Sequence, residues 1–170
     1  MMKFVLTLAV VLLIQAGNSS AETWYVNAGG GITEVRGSDF NNANSYQLTA
    51  GYLMNRFLAV ETSTLDLEEF ELAKDRSISL QGAGQSLGIV GRIPVRRVVF
   101  KGDIGALLWR LRSEAFGRST GDESGISPFL GLGIQINLPV GIRLGSSVRL
   151  YRDVSGKTLA TSLATVGVEF

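Results

Sequence analysis

Glu61 and Asp103 are the side chains whose type and setting could support chemistry, since each lies on the polar side of a largely apolar segment. Two such carboxylates could act together as a general acid and a general base. However, the sequence contains no histidine, which removes the usual general base and the commonest metal ligand, and no nucleophile accompanies the carboxylates. Both also have basic neighbours. We therefore expect structural ion pairs at Glu61 and Asp103, and we predict no catalytic site, no cofactor and no metal.

The segments that would position these carboxylates are strands, because apolar and polar residues alternate with a period of two along most of the chain. In residues 130–137, four aliphatic residues alternate with two glycines, a glutamine and an asparagine. One face of each such strand is therefore apolar and the other polar. The pattern predicts eight strands, at about 23–35, 45–54, 57–67, 77–94, 98–112, 125–138, 141–152 and 158–170.

The first 21 residues have the composition of a secretory signal peptide. Lys3 supplies a positive charge, residues 4–14 form an apolar run, and small residues ending in Ala21 follow. The apolar run is shorter than the roughly 20 residues that a transmembrane helix needs. We predict cleavage between Ala21 and Glu22, which leaves one domain over 22–170. The alternative is an N-terminal membrane anchor.

The predicted connections alternate between short turns and longer polar loops, the loops covering 36–44, 67–76, 113–124 and 153–157. Short turns at one end and long loops at the other are typical of outer-membrane β-barrels, whose long loops lie outside the cell. Closed barrels and helices are also the only structures that satisfy every backbone polar group in lipid. We therefore predict an all-β fold, an eight-stranded antiparallel up-and-down transmembrane β-barrel in the outer membrane of a Gram-negative bacterium.

Charged residues on the polar side of their strands are expected to face the barrel interior. They are Glu61, Arg92, Lys101, Asp103, Arg143, Arg149 and Glu169. Buried charges are costly unless they are paired and hydrogen-bonded, so we expect a network of ion pairs in a polar lumen. Many glycines share this side, which suits a lumen only just wide enough for its own side chains. Bulges in a soluble β-sandwich are the alternative explanation of these glycines.

Aromatic residues are expected in two places on the outer surface. Trp24, Tyr52, Phe57, Phe100 and Phe170 fall near the short turns, where an aromatic girdle would meet the inner lipid interface. Phe40, Phe70 and Phe116 fall in long loops, where they would either rest on the lipid headgroups or anchor a surface partner. Since Lys3 is the only charge before Glu22, 15 basic and 15 acidic residues follow it, and this balance predicts no nucleic-acid partner.

Several stretches resemble the transmembrane domains of the OmpA-like outer-membrane barrels. They are GYLMNRFLAVETSTLDL (51–67), VVFKGDIGALLW (98–109) and PFLGLGIQINLPVGIRLGSSVRLYRDVSGKTLATSLATVGVEF (128–170). The resemblance covers essentially all of 22–170, and its most specific part is the ending, in which Val166, Val168 and Phe170 occupy alternate positions. In this family such an ending implies a signal read by the barrel-assembly machinery, which would make that machinery a partner during insertion.

The resemblance also bears on the interior. Glu61 matches an inward glutamate that such barrels commonly carry on the third strand, whereas Asp103 stands where a basic residue is common. Ser147 stands where the seventh strand often carries an inward glutamate. The resemblance therefore implies ion pairs that are arranged differently in this chain. The peptidoglycan-binding domain that follows the barrel in many relatives is not expected in this sequence.

These observations favour a non-enzymatic outer-membrane barrel with a structural or surface-interaction role, in envelope integrity, adhesion or minor porin-like leakage. Its expected partners are membrane lipid, lipopolysaccharide and a surface ligand bound by the loops. One alternative is a soluble periplasmic barrel that binds a lipophilic ligand, which would need an apolar interior. The other is an outer-membrane lipid-modifying enzyme, which the absence of histidine disfavours.

Overall fold

The computed structural model of the chain describes residues 23–37, 41–72, 75–115 and 118–170. The predicted signal peptide and its cleavage site between Ala21 and Glu22 lie outside the described residues and stay predictions. So do Phe40 and Phe116, and the side chain of Phe70.

Eight strands form a closed barrel in which each strand pairs antiparallel with its neighbours in the sequence. The strands are β1 (Thr23–Arg36), β2 (Ala43–Asn55), β3 (Leu58–Leu72), β4 (Asp75–Val95), β5 (Val98–Ala115), β6 (Arg118–Asn137), β7 (Ile142–Val154) and β8 (Lys157–Glu169). A short 3-10 turn, Pro139–Gly141, joins β6 to β7. The eight-stranded up-and-down barrel predicted from the sequence is confirmed.

The barrel closes where β1 pairs with β8, in a register that runs from Tyr25 opposite Glu169 to Arg36 opposite Thr158. Two further backbone hydrogen bonds extend this seam at the periplasmic end. The amide of Trp24 donates to the carbonyl of Phe170 over 3.0 Å, and the amide of Phe170 donates to the carbonyl of Trp24 over 2.9 Å. The barrel therefore has no free strand edge along the seam, as a lipid environment requires.

The outer face of the barrel carries a continuous apolar band. On β6 the outward side chains from Ile126 to Ile136 are exposed aliphatic residues interrupted only by Pro128, and Ile126 and Leu132 are each 70% exposed. This span matches the roughly 9–11 tilted residues that cross the hydrocarbon. At the periplasmic end the ring centroids of Trp24 and Tyr52 lie 4.9 Å apart, as expected for part of an aromatic girdle.

Within the part of the chain that the structure describes, no helix is long and apolar enough to cross a membrane.

The predicted long loops 67–76 and 113–124 are wrong, because the strands continue through most of both segments. β3 runs to Leu72 and β4 begins at Asp75, while β5 runs to Ala115 and β6 begins at Arg118. Apolar and polar residues do not alternate in these two segments, so the sequence contains no strand signal there. Backbone pairing nevertheless persists, with register shifts at positions 67–72 and 113–114.

The interior consists of two chemically different halves. Towards the extracellular end it is apolar, with a packed cluster that includes Val35, Leu65, Leu107, Leu111, Phe129, Tyr151 and Leu159. Towards the periplasmic end it is polar and charged. The expectation of a polar lumen is therefore correct for the periplasmic half alone. Alternation does not predict the apolar half, because adjacent aliphatic residues there face opposite ways: Leu107 lies inside and Leu108 outside.

Glycines of the interior face make room for large neighbours on adjacent strands. A Cβ atom on Gly51 would lie 2.1 Å from Cζ of Tyr25, and one on Gly131 would lie 2.2 Å from Oδ1 of Asp103. Neither glycine lies at a register shift, so they support the lumen interpretation over the bulge interpretation. By contrast, a Cβ atom on the outward Gly30 would make an ordinary contact of 3.7 Å with the ring of Tyr46.

Gly51→Ala should therefore destabilise the barrel by about 1 to 3 kcal/mol, the usual cost of overpacking a filled interior. Gly30→Ala is the matched control and should leave the stability close to that of the wild type. Urea unfolding of protein refolded in lipid vesicles, followed by the shift in gel mobility between cold and boiled samples, measures both. Equal stability of the two variants would show that the ring of Tyr25 is free to move away.

Candidate functional site

Four charged side chains meet at the centre of the polar half of the lumen. We call Glu61, Lys101, Asp103 and Arg149 the charged quartet. Lys101 Nζ lies 2.6 Å from Glu61 Oε1, Arg149 Nη2 lies 3.0 Å from Glu61 Oε2, and Arg149 Nε lies 2.5 Å from Asp103 Oδ2. Two carboxylates face two cations, so the quartet is neutral as a unit.

Strand register brings these residues together. Asp103 on β5 and Arg149 on β7 both stand opposite Gly131 on the intervening β6. The two side chains therefore cross β6 over a residue that has no side chain, and a Cβ atom at Gly131 would also lie 2.8 Å from Cγ of Arg149. The ion pair spans three strands only because the middle position is glycine.

A second row of the same kind extends the quartet to β1. Tyr25 on β1 and Glu61 on β3 both stand opposite Gly51 on β2. The hydroxyl of Tyr25 donates to Glu61 Oε1 over 2.6 Å, across the space that a side chain at Gly51 would fill. Tyr25 is not among the interior residues predicted from the sequence. Its position between the outward Trp24 and Val26 was the signal that it faces inward.

Two arginines lie in the lumen outside the quartet. Arg143 is almost completely buried, its guanidinium lies 3.9 Å from the centroid of the Tyr25 ring, and its Nε lies 3.5 Å from Glu169 Oε2. Among the described residues its guanidinium nitrogens have no hydrogen-bond partner, and neither does Nε of Arg92. The seven inward charged residues thus comprise the neutral quartet, the pair of Arg143 and Glu169, and Arg92.

Little free space is left beside the charged quartet. A cavity of about 40 Å³ lies beside the quartet, lined by residues that include Asn27, Gln47, Thr49, Gln135 and Ser147. Such a space holds a few water molecules at most. Gln135 Nε2 donates to Asn137 Oδ1, and Gln47 Nε2 donates to Thr49 Oγ1, so part of this polar lining is internally paired.

The quartet connects β3, β5 and β7, and both of its carboxylates take part in these contacts. Glu61 accepts hydrogen bonds on both oxygens, from Tyr25, Lys101 and Arg149. Asp103 accepts from Arg149. No group of three or more acidic residues that could hold a metal ion occurs within the described ranges.

The C-terminal residues singled out in the sequence lie at the seam. Val166 and Val168 face outward on β8, and Phe170 is half-buried beside Trp24, with which it exchanges backbone hydrogen bonds. Their role as an assembly signal stays a prediction.

A family model described as the outer membrane protein beta-barrel domain matches residues 4–170. The chain belongs to this family. The resemblance stated from the sequence is confirmed, and the protein is an outer-membrane β-barrel. A search of curated protein sequences gave no match.

Solved structures of small outer-membrane barrels share the fold. The attachment invasion locus protein Ail of Yersinia pestis aligns with a TM-score of 0.62 and 19% identity, over 88% of this chain and 97% of Ail. The N-terminal β-barrel domain of Pseudomonas aeruginosa OprF gives 0.68 and 13%, over 87% and 97%. Neisserial surface protein A gives 0.66 and 14%, over 89% and 98%. At these identities the likeness establishes the fold alone.

Glu61→Gln should destabilise the barrel by about 3 to 5 kcal/mol, because Lys101 and Arg149 then share the single carboxylate of Asp103. The double variant with Lys101→Gln restores neutrality and should recover part of this loss. Glu34→Gln, at an exposed position on β1, is the control and should change little. Urea unfolding in vesicles measures all of them. If the single and double variants were equally unstable, the pair would not be coupled.

Proposed function

We propose that the protein is a non-enzymatic outer-membrane barrel that acts through its surfaces rather than through a pore or a catalytic site. The observation that carries this proposal is the filled interior. The apolar cluster occupies the extracellular half of the lumen and the charged quartet occupies the periplasmic half, with a cavity of only about 40 Å³ beside it.

The quartet supports a structural role over catalysis. General acid/base work needs a carboxylate that can reach a proton of the substrate. Both oxygens of Glu61 already accept hydrogen bonds from the protein, and Asp103 is held by Arg149. Glu61 and Asp103 are each about 4% exposed, so lipid and external solutes do not reach them. The lipid-modifying enzyme is therefore the weaker hypothesis.

The extracellular ends of β3 to β6 are the surface best placed to meet a partner. β4 has 21 residues, which at about 3.3 Å per residue and a tilt of about 45° rise roughly 50 Å. The apolar band of such barrels is about 25 Å tall, so these hairpins extend well beyond the membrane. We propose that they present the surface-interaction site, in envelope structure or adhesion.

Arginines directly above the apolar band suit the phosphates of lipopolysaccharide. On β5 the outward face passes from Leu108 to Arg110 and Arg112, and Arg152 on β7 is exposed as well. Arg112 Nε lies 3.4 Å from Asp122 Oδ1, whereas no carboxylate lies within ion-pair distance of Arg110 among the described residues. Guanidinium groups bind phosphate in a bidentate manner, so we propose lipopolysaccharide as a partner at this level.

During insertion, the barrel-assembly machinery is the proposed partner of the C-terminal strand. Val166 and Val168 present one apolar face of β8, and Phe170 follows β8 at its seam with β1.

A filled barrel should not conduct. The refolded protein in planar lipid bilayers is expected to give no steady conductance above the baseline, while a large porin reconstituted in the same way provides the positive control. The shift in gel mobility on heating confirms that the sample is folded. Persistent ionic conductance by folded protein would overturn the surface-only proposal and favour minor porin-like leakage.

The lipopolysaccharide proposal predicts that Arg110→Gln with Arg152→Gln weakens the binding of purified lipopolysaccharide about tenfold or more, since each arginine near a charged lipid surface contributes about 1 kcal/mol. Lys157→Gln is the control for loss of charge at the same end of the barrel. Fluorescence binding in detergent measures the effect. Unchanged acyl chains in the recovered lipopolysaccharide, checked by mass spectrometry, are expected of a non-enzymatic partner.

A further inference from the structure

The turn between β4 and β5 places two adjacent arginines, Arg96 and Arg97, at the periplasmic edge of the lipid-facing surface. Both are exposed, and they flank an apolar hollow of about 520 Å³ that is completed by Val95, Val98 and Phe100. Val95 and Phe100 are themselves about half exposed, so the hollow opens onto the apolar band. A positively charged edge beside an apolar hollow is complementary to a lipid that has an anionic headgroup and an apolar acyl chain.

The turn is held in place on both sides. Val95 pairs with Val98 across the hairpin, which leaves residues 96–97 as a two-residue loop. The carbonyl of Arg97 accepts a hydrogen bond of 2.7 Å from the amide of Asn137 on β6. The backbone that carries the two guanidinium groups is therefore fixed before any ligand arrives, which lowers the entropic cost of binding.

Arg96 adopts a backbone conformation that favours glycine. Its φ is +56°, and in a two-residue hairpin loop a positive φ at the first position is ordinarily taken by glycine, asparagine or aspartate. An arginine at this position strains the turn without improving the packing of the barrel. Strain retained at such a place is a reason to look for a function of the side chain.

The charge of the turn is not neutralised by the protein. Among the described residues, no carboxylate lies within 4 Å of the guanidinium of Arg96 or Arg97, whereas at the other end Arg112 lies near Asp122. Arg56, on the neighbouring turn between β2 and β3, instead lies 4.5 Å above the ring of Phe57. The β4–β5 turn is thus the place where two unneutralised cations adjoin an apolar hollow.

We propose that this turn binds an anionic phospholipid of the inner leaflet, of the phosphatidylglycerol type. The phosphodiester lies between the guanidinium groups of Arg96 and Arg97, and an acyl chain packs along Val95 and Phe100. Arginine is suited to this role because its planar donors match the oxygens of a phosphate. The site lies at the opposite end of the barrel from the lipopolysaccharide surface proposed above and does not depend on it.

Native mass spectrometry of the refolded protein in detergent, with equal amounts of phosphatidylglycerol and phosphatidylcholine, tests the proposal. The wild type is expected to retain phosphatidylglycerol preferentially. Arg96→Gln and Arg97→Gln should each lower this preference about fivefold. Arg56→Gln removes the same charge from the neighbouring turn, which carries a single arginine, and should leave the preference unchanged.

Arg96→Gly distinguishes a loss of lipid binding from a loss of stability. Glycine relieves the positive φ, so this variant should melt at a temperature equal to or above that of the wild type in phosphatidylcholine vesicles while losing the lipid preference. Inorganic phosphate forms a separate arm, and competition by phosphate alone would mean that the turn binds the free anion and not the lipid. If Arg56→Gln lost the preference for phosphatidylglycerol to the same extent, the effect would come from the overall charge and not from this turn. If the wild type showed no preference, the turn would not be a lipid site. Each result overturns the proposal.

Discussion

A bilayer offers the backbone no hydrogen-bonding partner, and the rest of this structure depends on that constraint. The eight strands must pair with one another until the last returns to the first, which β8 does along β1 and through the mutual backbone bonds of Trp24 and Phe170. Closure with only eight strands leaves a lumen about as wide as the side chains that point into it. The interior must consequently fill and satisfy itself. The two halves of the lumen meet this demand in different ways.

In the periplasmic half the demand is met by pairing charges across strands that are not neighbours. Tyr25 reaches Glu61 over Gly51, and Asp103 reaches Arg149 over Gly131, so each glycine lies in register between two polar partners. The backbone ladder connects only adjacent strands, whereas these side chains connect β1 to β3 and β5 to β7. Lys101 and Arg149 then join both rows through Glu61. The glycines are therefore as necessary to the network as the charged residues, because any side chain in the middle of a row would separate the partners.

The sequence predicted those features of the fold that are properties of a single strand. Period-two alternation located the strands, their outward faces and the inward direction of residues such as Glu61 and Arg149. It could not predict which inward residues meet, because that depends on the register between strands, which turns and bulges such as the shift between Leu53 and Asn55 set. Alternation also failed where both faces have the same polarity. Segments 67–76 and 113–124, at the ends of β3 to β6, show no apolar–polar alternation in the sequence, and the segment around Leu107 and Leu108 is apolar on both faces.

The division of the lumen determines which charged residues are left to meet outside partners. The quartet is neutral as a unit and so adds no net charge to the lumen, and the apolar cluster separates it from extracellular water. Charges able to meet outside partners are then those on the rims. Arg110 and Arg152 lie above the apolar band, and Arg96 and Arg97 lie below it, each beside exposed apolar side chains. Both proposals made above rest on this arrangement, because each assigns phosphate-bearing lipids to arginines that lie at an edge of the apolar band.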